Sequence, residues 1–392
     1  GGADLPYACI TKRAGEPISE CRKQMPSQNR TAGAFPLDVK MAVMSTVEPK
    51  RVTITEVAKR AGVSIQTVSN FVNRKVPVSE ETASRVLSAI NELGYIPNWT
   101  GRSLRSQRSG NIGYFVADPT SRYFGRPYHQ IIVAGIAEKA RERDYSVLIS
   151  GVGNNPDVGH FLTRPMGERR VDGAVVSLGG SADQRATYIR HLRETPGPKV
   201  ILDEPVAGDG IASASIMNYE ASQEVVEYLT EKGHQRIAII IAAVDWGDIE
   251  ARRSGFLDAL REHSLPSLPQ PVFRAERGPS GSQTDGGYAC ALEIFRTRRD
   301  VTAIFAAGSE IATGVLRAAR DSGRRVPYDL AVVGFEDDFL ASLIETSLTT
   351  VRVPLFELGL QAAQLLFGYL DTGAFPVPHL RIRASLVMGA SA

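Results

Sequence analysis

The chain has 392 residues, enough for two or three domains and a substantial core, and its 43% hydrophobic and 22% charged residues match ordinary globular proteins. No apolar run reaches the length of a membrane span and no standard secretory signal opens the chain, so a membrane partner and export are not expected. Cys9, Cys21 and Cys290 show no metal or disulfide spacing, which fits a reducing cytoplasm, and the net charge is only +2.

Residues 1–50 carry scattered Pro, Gly, Ser and charge without periodicity and read as a disordered leader; Met41 and Met44 lie just before the first regular pattern. Charge then becomes uneven. Residues 50–108 hold ten basic side chains against Glu56, Glu80, Glu81 and Glu92, a local net of +6 on a chain whose remainder must carry −4. A basic head on a slightly acidic body suits phosphate contact at one end only.

Within that head, Thr53 followed three residues later by Glu56 is a capping box, and the helix it starts carries Val57, Ala58 and Ala61 on one face. Gly62 supplies a bend and Ser64 caps a second helix, which exposes Ile65, Gln66, Thr67, Ser69 and Asn70 while Val68, Phe71 and Val72 face inward. Ser79 caps a third helix with Val86, Ile90 and Leu93 at helical spacing, and Gly94 stops it. This order predicts a helix-turn-helix over 51–97 that lays its second helix in the major groove of double-stranded DNA. Amide side chains pair bidentately with adenine and hydroxyls contact bases or phosphates, so Gln66, Thr67, Ser69 and Asn70 are the leading candidates, with Thr53, Ser64 and Asn73 completing the DNA-facing set. Asn98 is positioned to cap one or two helical turns through Arg102 and Arg105, a helix too short to be stable alone and therefore expected to order on DNA.

From Asn111 the pattern alternates. NIGYFVAD, YSVLIS, VDGAVVSL and PKVILDE read as strands, with helices over 128–144 and up to Arg170; a second set begins near Ser215 with a helix through 221–232. RIAIIIA, PVFRAE, AIFAAG and DLAVVGFED follow as strands, with helices over 249–263, 287–296 and 311–322. Such alternation predicts an α/β body of two doubly wound parallel-sheet lobes, with ligands bound beyond the strands' carboxyl ends where strand order reverses. Gly151-Val152-Gly153 lacks the rest of a dinucleotide fingerprint, and the chain shows no phosphate loop, nucleophile elbow or metal-spaced His/Cys cluster. No catalysis, cofactor or metal is expected, and His234 reads as structural.

The segments VTITEVAKRAGVSIQTVSNFVN, VSEETASRVLSAINELGYIPN and GRSLRS closely resemble the DNA-binding head of the lactose-repressor (LacI/GalR) family of bacterial regulators, and the resemblance runs from about Val52 to the C-terminus. It implies that Ile65, Gln66 and Asn70 read operator bases, the last standing where arginine is usual, and that Thr67 and Ser69 contact phosphates or pack. It implies a hinge helix over 98–108, including Asn98, Gly101 and Arg105, paired across a homodimer in the minor groove, where Leu104 levers a base step apart. Gly101 replaces the usual alanine, at about 1 kcal/mol of helix stability.

For the body, the resemblance implies two lobes similar to sugar-binding periplasmic proteins, residues 109–212 with 354–380 and residues 213–353 with 381–392, holding a small-molecule effector between them. It carries effector contacts onto Asp118, Tyr123, Phe124, Arg252 and Glu336. Gly308-Ser309 replaces a usual Asn-Asp and Val353 a usual glutamine, a loss that Trp246 can offset by stacking on a sugar ring. The expectation is a cytoplasmic, sequence-specific transcriptional regulator, a repressor on a palindromic operator, controlled by a sugar or related metabolite. A carbohydrate-binding receptor without a DNA role is the alternative, and the head together with the missing export signal argues against it. The tail after Met388 is too short for a tetramerising coiled coil.

Overall fold

The computed structural model describes residues 52–72, 76–96, 108–117, 127–152, 158–266, 268–279, 281–335 and 347–392. The chain divides into two units, a head within residues 1–97 and a body within residues 98–392. The expected leader (1–50) and all but Arg108 of the expected hinge (98–108) lie outside the described residues.

Helices α1 (Ile54–Ala61), α2 (Ile65–Val72) and α3 (Glu80–Leu93) build the head. Thr53 forms both halves of its capping box: its backbone N–H donates to Glu56 Oε2 at 2.7 Å, and its hydroxyl accepts from the Glu56 backbone N–H at 3.4 Å. Gly62 closes α1 at φ 66°, a left-handed conformation that costs glycine little, and turns the chain into α2. Ser64 Oγ accepts from the Thr67 N–H at 3.0 Å, so a side chain satisfies one orphan donor at each of the two helix starts. Val57, Ala58, Ala61, Val68, Val86 and Ala89 form the small core, with Phe71, Ile90 and Leu93 packed around it.

The body contains two six-stranded sheets. In one the order is β11 (His379–Ile382), β5 (Ile211–Ile216), β4 (Lys199–Leu202), β3 (Ala174–Leu178), β1 (Asn111–Ala117), β2 (Ser146–Val152), all parallel. In the other it is β12 (Ser385–Val387), β10 (Thr349–Arg352), β9 (Ala331–Phe335), β8 (Ala303–Ala306), β6 (Ile237–Ala242), β7 (Val272–Ala275), parallel except for the β12–β10 pair. The crossover helices are α4 (Pro127–Glu142), α5 (Val158–Gly167), α6 (Ala182–Glu194), α7 (Asn218–Glu231), α8 (Gly247–Glu262), α9 (Thr284–Thr297), α10 (Ser309–Asp321) and α11 (Leu355–Thr372). Central strands such as IAIIIA of β6 are buried along their whole length because helices cover both faces of each sheet.

Helix α11 packs along α4, where a Cβ added at Gly359 would sit 2.1 Å from the Ile132 carbonyl oxygen. Helix α11 thus lies against the first lobe, and β11 after it pairs with β5 in the first sheet. The chain passes between the sheets after Ile216, after Arg352 and after Ile382.

Several details differ from the sequence reading. Helix α6 was not expected; Ser181 and Gln184 form its capping box, but its largely polar face hides the periodicity of Tyr188 and Leu192. Strand β5, IASASI, has small residues of weak strand preference and forms because β4 and β11 supply partners on both sides. It places residues 213–216 in the first sheet rather than the second lobe, and β11 likewise keeps 381–382 there. Strand β10, for which no strand was expected, takes an inner position of the second sheet between β12 and β9.

Candidate nucleic-acid interface and inter-lobe cavity

On the head, α2 presents Ile65, 48% exposed, beside the exposed Gln66, with Asn70 half-buried one turn on. Gln66 Nε2 donates to Asn70 Oδ1 at 2.9 Å, so the two amides form one polar edge on the helix surface. Ser64 Oγ and Thr67 Oγ1 are 2.9 Å apart at the start of the same helix. Ser69 departs from the expected exposure: it is 9% exposed and lies buried beside Val68. Thr53 serves as the α1 cap, while Asn73, Asn98, Gly101, Leu104 and Arg105 lie outside the described residues.

The body encloses a cavity of about 410 Å³ between the two sheets. Its wall includes Val116 at the end of β1, Ser177 and Leu178 at the end of β3, Ala242 at the end of β6 and Ala307 just after β8. Strand order reverses between β1 and β3 in one sheet and between β6 and β8 in the other, so the cavity lies at both switch points, where helices diverge and leave a crevice. Arg352, Val353, Arg383 and Ser385, on the segments passing between lobes, form another part of the wall.

Polar groups converge on this space. Tyr128 donates its hydroxyl to Asp203 Oδ2 at 2.7 Å, and the Ile216 backbone N–H donates to Asp203 Oδ1 at 3.0 Å. Burial pushes the Asp203 carboxyl up to about 6, and the charge of Asp248 adds to the rise, against the opposing effects of Tyr128, Ile216 and Arg252. Tyr114 and His129 Nδ1 share a hydrogen bond of 2.7 Å, and burial raises the Tyr114 hydroxyl well above its ordinary range.

Arg252 is 2% exposed. Its Nε donates to Asn218 Oδ1 at 2.9 Å, Nη1 to the Ala307 carbonyl at 3.1 Å and Nη2 to Asp248 Oδ2 at 3.3 Å, while its carbon Cζ lies 4.0 Å from the centre of the Phe335 ring. The side chain thus ties α7, α8 and the end of β8 together beneath the cavity surface. From the first lobe, Arg185 donates to Glu204 Oε2 at 2.7 Å and to the Asp245 carbonyl of the second. Trp246 stands at the start of α8, and a Cβ added at Gly179 would meet its Nε1 at 3.1 Å, so a glycine in the first lobe makes room for the indole.

Of the expected effector contacts, Trp246, Arg252 and Ser309 come together in the cavity wall, whereas Asp118, Tyr123, Phe124 and Glu336 lie outside the described residues. Tyr128, His129, Asp203, Arg277 and Gln283 also line the cavity and were not expected there. Only Asp203 carried a signal in the sequence, as a carboxylate ending the apolar run of PKVILDE. Among the described residues no group of His, Cys, Asp and Glu is arranged to hold a metal ion, and no helix is long and apolar enough to cross a membrane.

Comparison with known proteins agrees with this architecture. The family of bacterial regulatory proteins, lacI family, matches residues 53–98, and the periplasmic binding protein-like domain matches residues 226–392; together they span more than half of the chain. Catabolite control protein A of Priestia megaterium is 29% identical over 335 residues, covering 84% of this chain and 97% of that protein. The HTH-type transcriptional repressor PurR of Klebsiella pneumoniae (strain 342) is 28% identical over 315 residues, covering 80% of this chain and 89% of that protein. Among solved structures, a Lac repressor dimer bound to operator and the anti-inducer ONPF superposes with a TM-score of 0.73 at 26% identity, covering 87% of this chain and 99% of that one. The transcriptional regulator CelR in its cellobiose complex gives 0.64 at 28% identity, covering 87% of this chain and all of that one. With a capped helix-turn-helix head and a two-lobed body built around a cavity at both switch points, the chain belongs to the LacI family of DNA-binding transcriptional regulators.

Proposed function

We propose that this regulator acts in the cytoplasm as a homodimeric repressor, placing α2 of each copy in the major groove of a palindromic operator and responding to a small molecule in the inter-lobe cavity. The observation that carries the reading is the pairing, in one chain, of an exposed Gln66–Asn70 edge with a cavity walled by polar groups from both lobes. In the division we favour, the head (51–97) reads, the segment 98–108 orders on the minor groove with Leu104 as its wedge, and the body senses. Ile65 and Gln66 approach base edges with Asn70, and Ser64, Thr67 and Asn73 approach phosphates. Trp246 and Ser309 face the effector together with Asp118, Tyr123, Phe124 and Glu336, while Arg252 holds their supporting wall in place.

The mechanism is a population shift. An effector that prefers one lobe arrangement changes how the two copies sit together, and that decides whether paired hinge segments are ordered on DNA. The body binds rather than catalyses, consistent with relatives that are transcriptional regulators. Footprinting of the full chain on genomic fragments is expected to give two-fold symmetric protection, with log K falling linearly and steeply with log salt. Sequence-blind coverage of every fragment would reject the operator reading.

A further inference from the structure

One cavity-wall side chain is left incomplete. Arg277 follows β7, and its Nη1 donates to the Gly281 carbonyl at 2.9 Å, inside a turn closed by the Gly278 N–H on the Ser282 carbonyl at 2.9 Å. Among the described residues its Nε and Nη2 find no hydrogen-bond partner, and both atoms are buried in the cavity wall. Nε–H and the facing Nη2–H point the same way along one edge of a guanidinium, the fork that takes both oxygens of a carboxylate. The two acids that share the cavity wall with it have other partners: Asp248 pairs with Arg252, and Glu310 accepts from the Gln283 N–H at 2.7 Å. Leaving two charged donors dry and unpaired is costly, and natural structures rarely keep such groups without a use.

We propose that Arg277 is an anchor for an anionic group on the effector, so that the cavity selects a sugar or metabolite bearing an oxyanion, in the first instance a carboxylate. The assignment rests on the reading of this cavity as the effector site. A carboxylate entering from the cavity accepts from both Nε and Nη2, while the hydroxyl-bearing remainder of the ligand meets Trp246 and Ser309. Specificity follows from the empty case: a neutral sugar leaves the fork unpaired, whereas an acid completes it.

The test is isothermal titration and thermal shift on the full-length chain with D-galacturonate, D-glucuronate, D-glucose 6-phosphate, D-galactose and D-glucose. Each compound is run on the wild type, Arg277→Lys and Arg277→Met. An acidic compound is expected to bind the wild type at least about tenfold more tightly than its neutral counterpart, and both variants are expected to lose that advantage. Lysine keeps the charge but not the fork, so its loss separates the planar contact from mere attraction. The uronates against the phosphate decide which oxyanion the site takes. Methionine also removes two unsatisfied donors, so Arg277→Met is expected to raise the melting temperature of the unliganded chain. Neutral sugars binding as well as acids, or acid preference surviving in Arg277→Met, would overturn the anchor while leaving the effector cavity standing. No response to any of the five would overturn both.

Discussion

Asp203 lies on the cavity wall with its carboxyl held near 6, against about 4 in an unfolded chain, because it is buried and faces the charge of Asp248. A carboxyl raised on folding contributes no penalty while protonated in both states. Its stability is therefore fully present below about pH 4, is lost as pH rises to about 6, and stays lost above that. Two units at about 1.4 kcal/mol each give a loss of about 3 kcal/mol from this one group. Asp203→Asn removes the ionisation but keeps the contacts: the amide oxygen can still accept from the Ile216 N–H, and the amide N–H donates to the Tyr128 oxygen. Urea unfolding of both proteins from pH 4 to 8, followed by circular dichroism, is expected to give equal stabilities near pH 4. The variant should then pull ahead by up to about 3 kcal/mol, with the gap levelling off above pH 6. Carboxylates that arginines hold low, such as Asp329 at about 2 and Glu250, impose the opposite slope on both proteins and cancel in the difference. A gap that stays constant across the range would refute the argument, as would a variant less stable than wild type at pH 8.

Thr53→Ala removes the hydroxyl half of the α1 capping box and is expected to cost the head about 1 kcal/mol, measured by amide exchange in α1, with no change in exchange within the body's sheets. A Cβ at Gly255 would sit 2.2 Å from the Tyr219 carbonyl oxygen, so Gly255→Ala must push α7 and α8 apart; a loss of at least about 1 kcal/mol in urea unfolding is expected, and an unchanged midpoint would contradict the close approach. Arg252→Met leaves Asp248, Asn218 and the Ala307 carbonyl without their buried donor, and a loss of about 3 kcal/mol or more is expected in the same assay. A loss below about 1 kcal/mol would show that those groups find water instead.

The sequence alone determined the reader and the lobes, since both rest on local rules. Thr53 with Glu56, Gly62, Ser64, Ser79 and Gly94 act within a few residues of where they stand, so caps and turns could be placed without knowing the rest of the fold. Runs such as IAIIIA identify themselves as buried strands by composition. Only the tertiary structure decided what depends on distant neighbours. IASASI became a strand because β4 and β11 flank it, and Ser69 lost its exposure only in the assembled three-helix head. Asp203 acquired its raised carboxyl from burial and from Asp248, tens of residues away, and the unpartnered Nε and Nη2 of Arg277 appear only once the wall around them is assembled. Desolvation and partner competition are properties of an assembled cavity, and residue spacing along the chain holds no record of them.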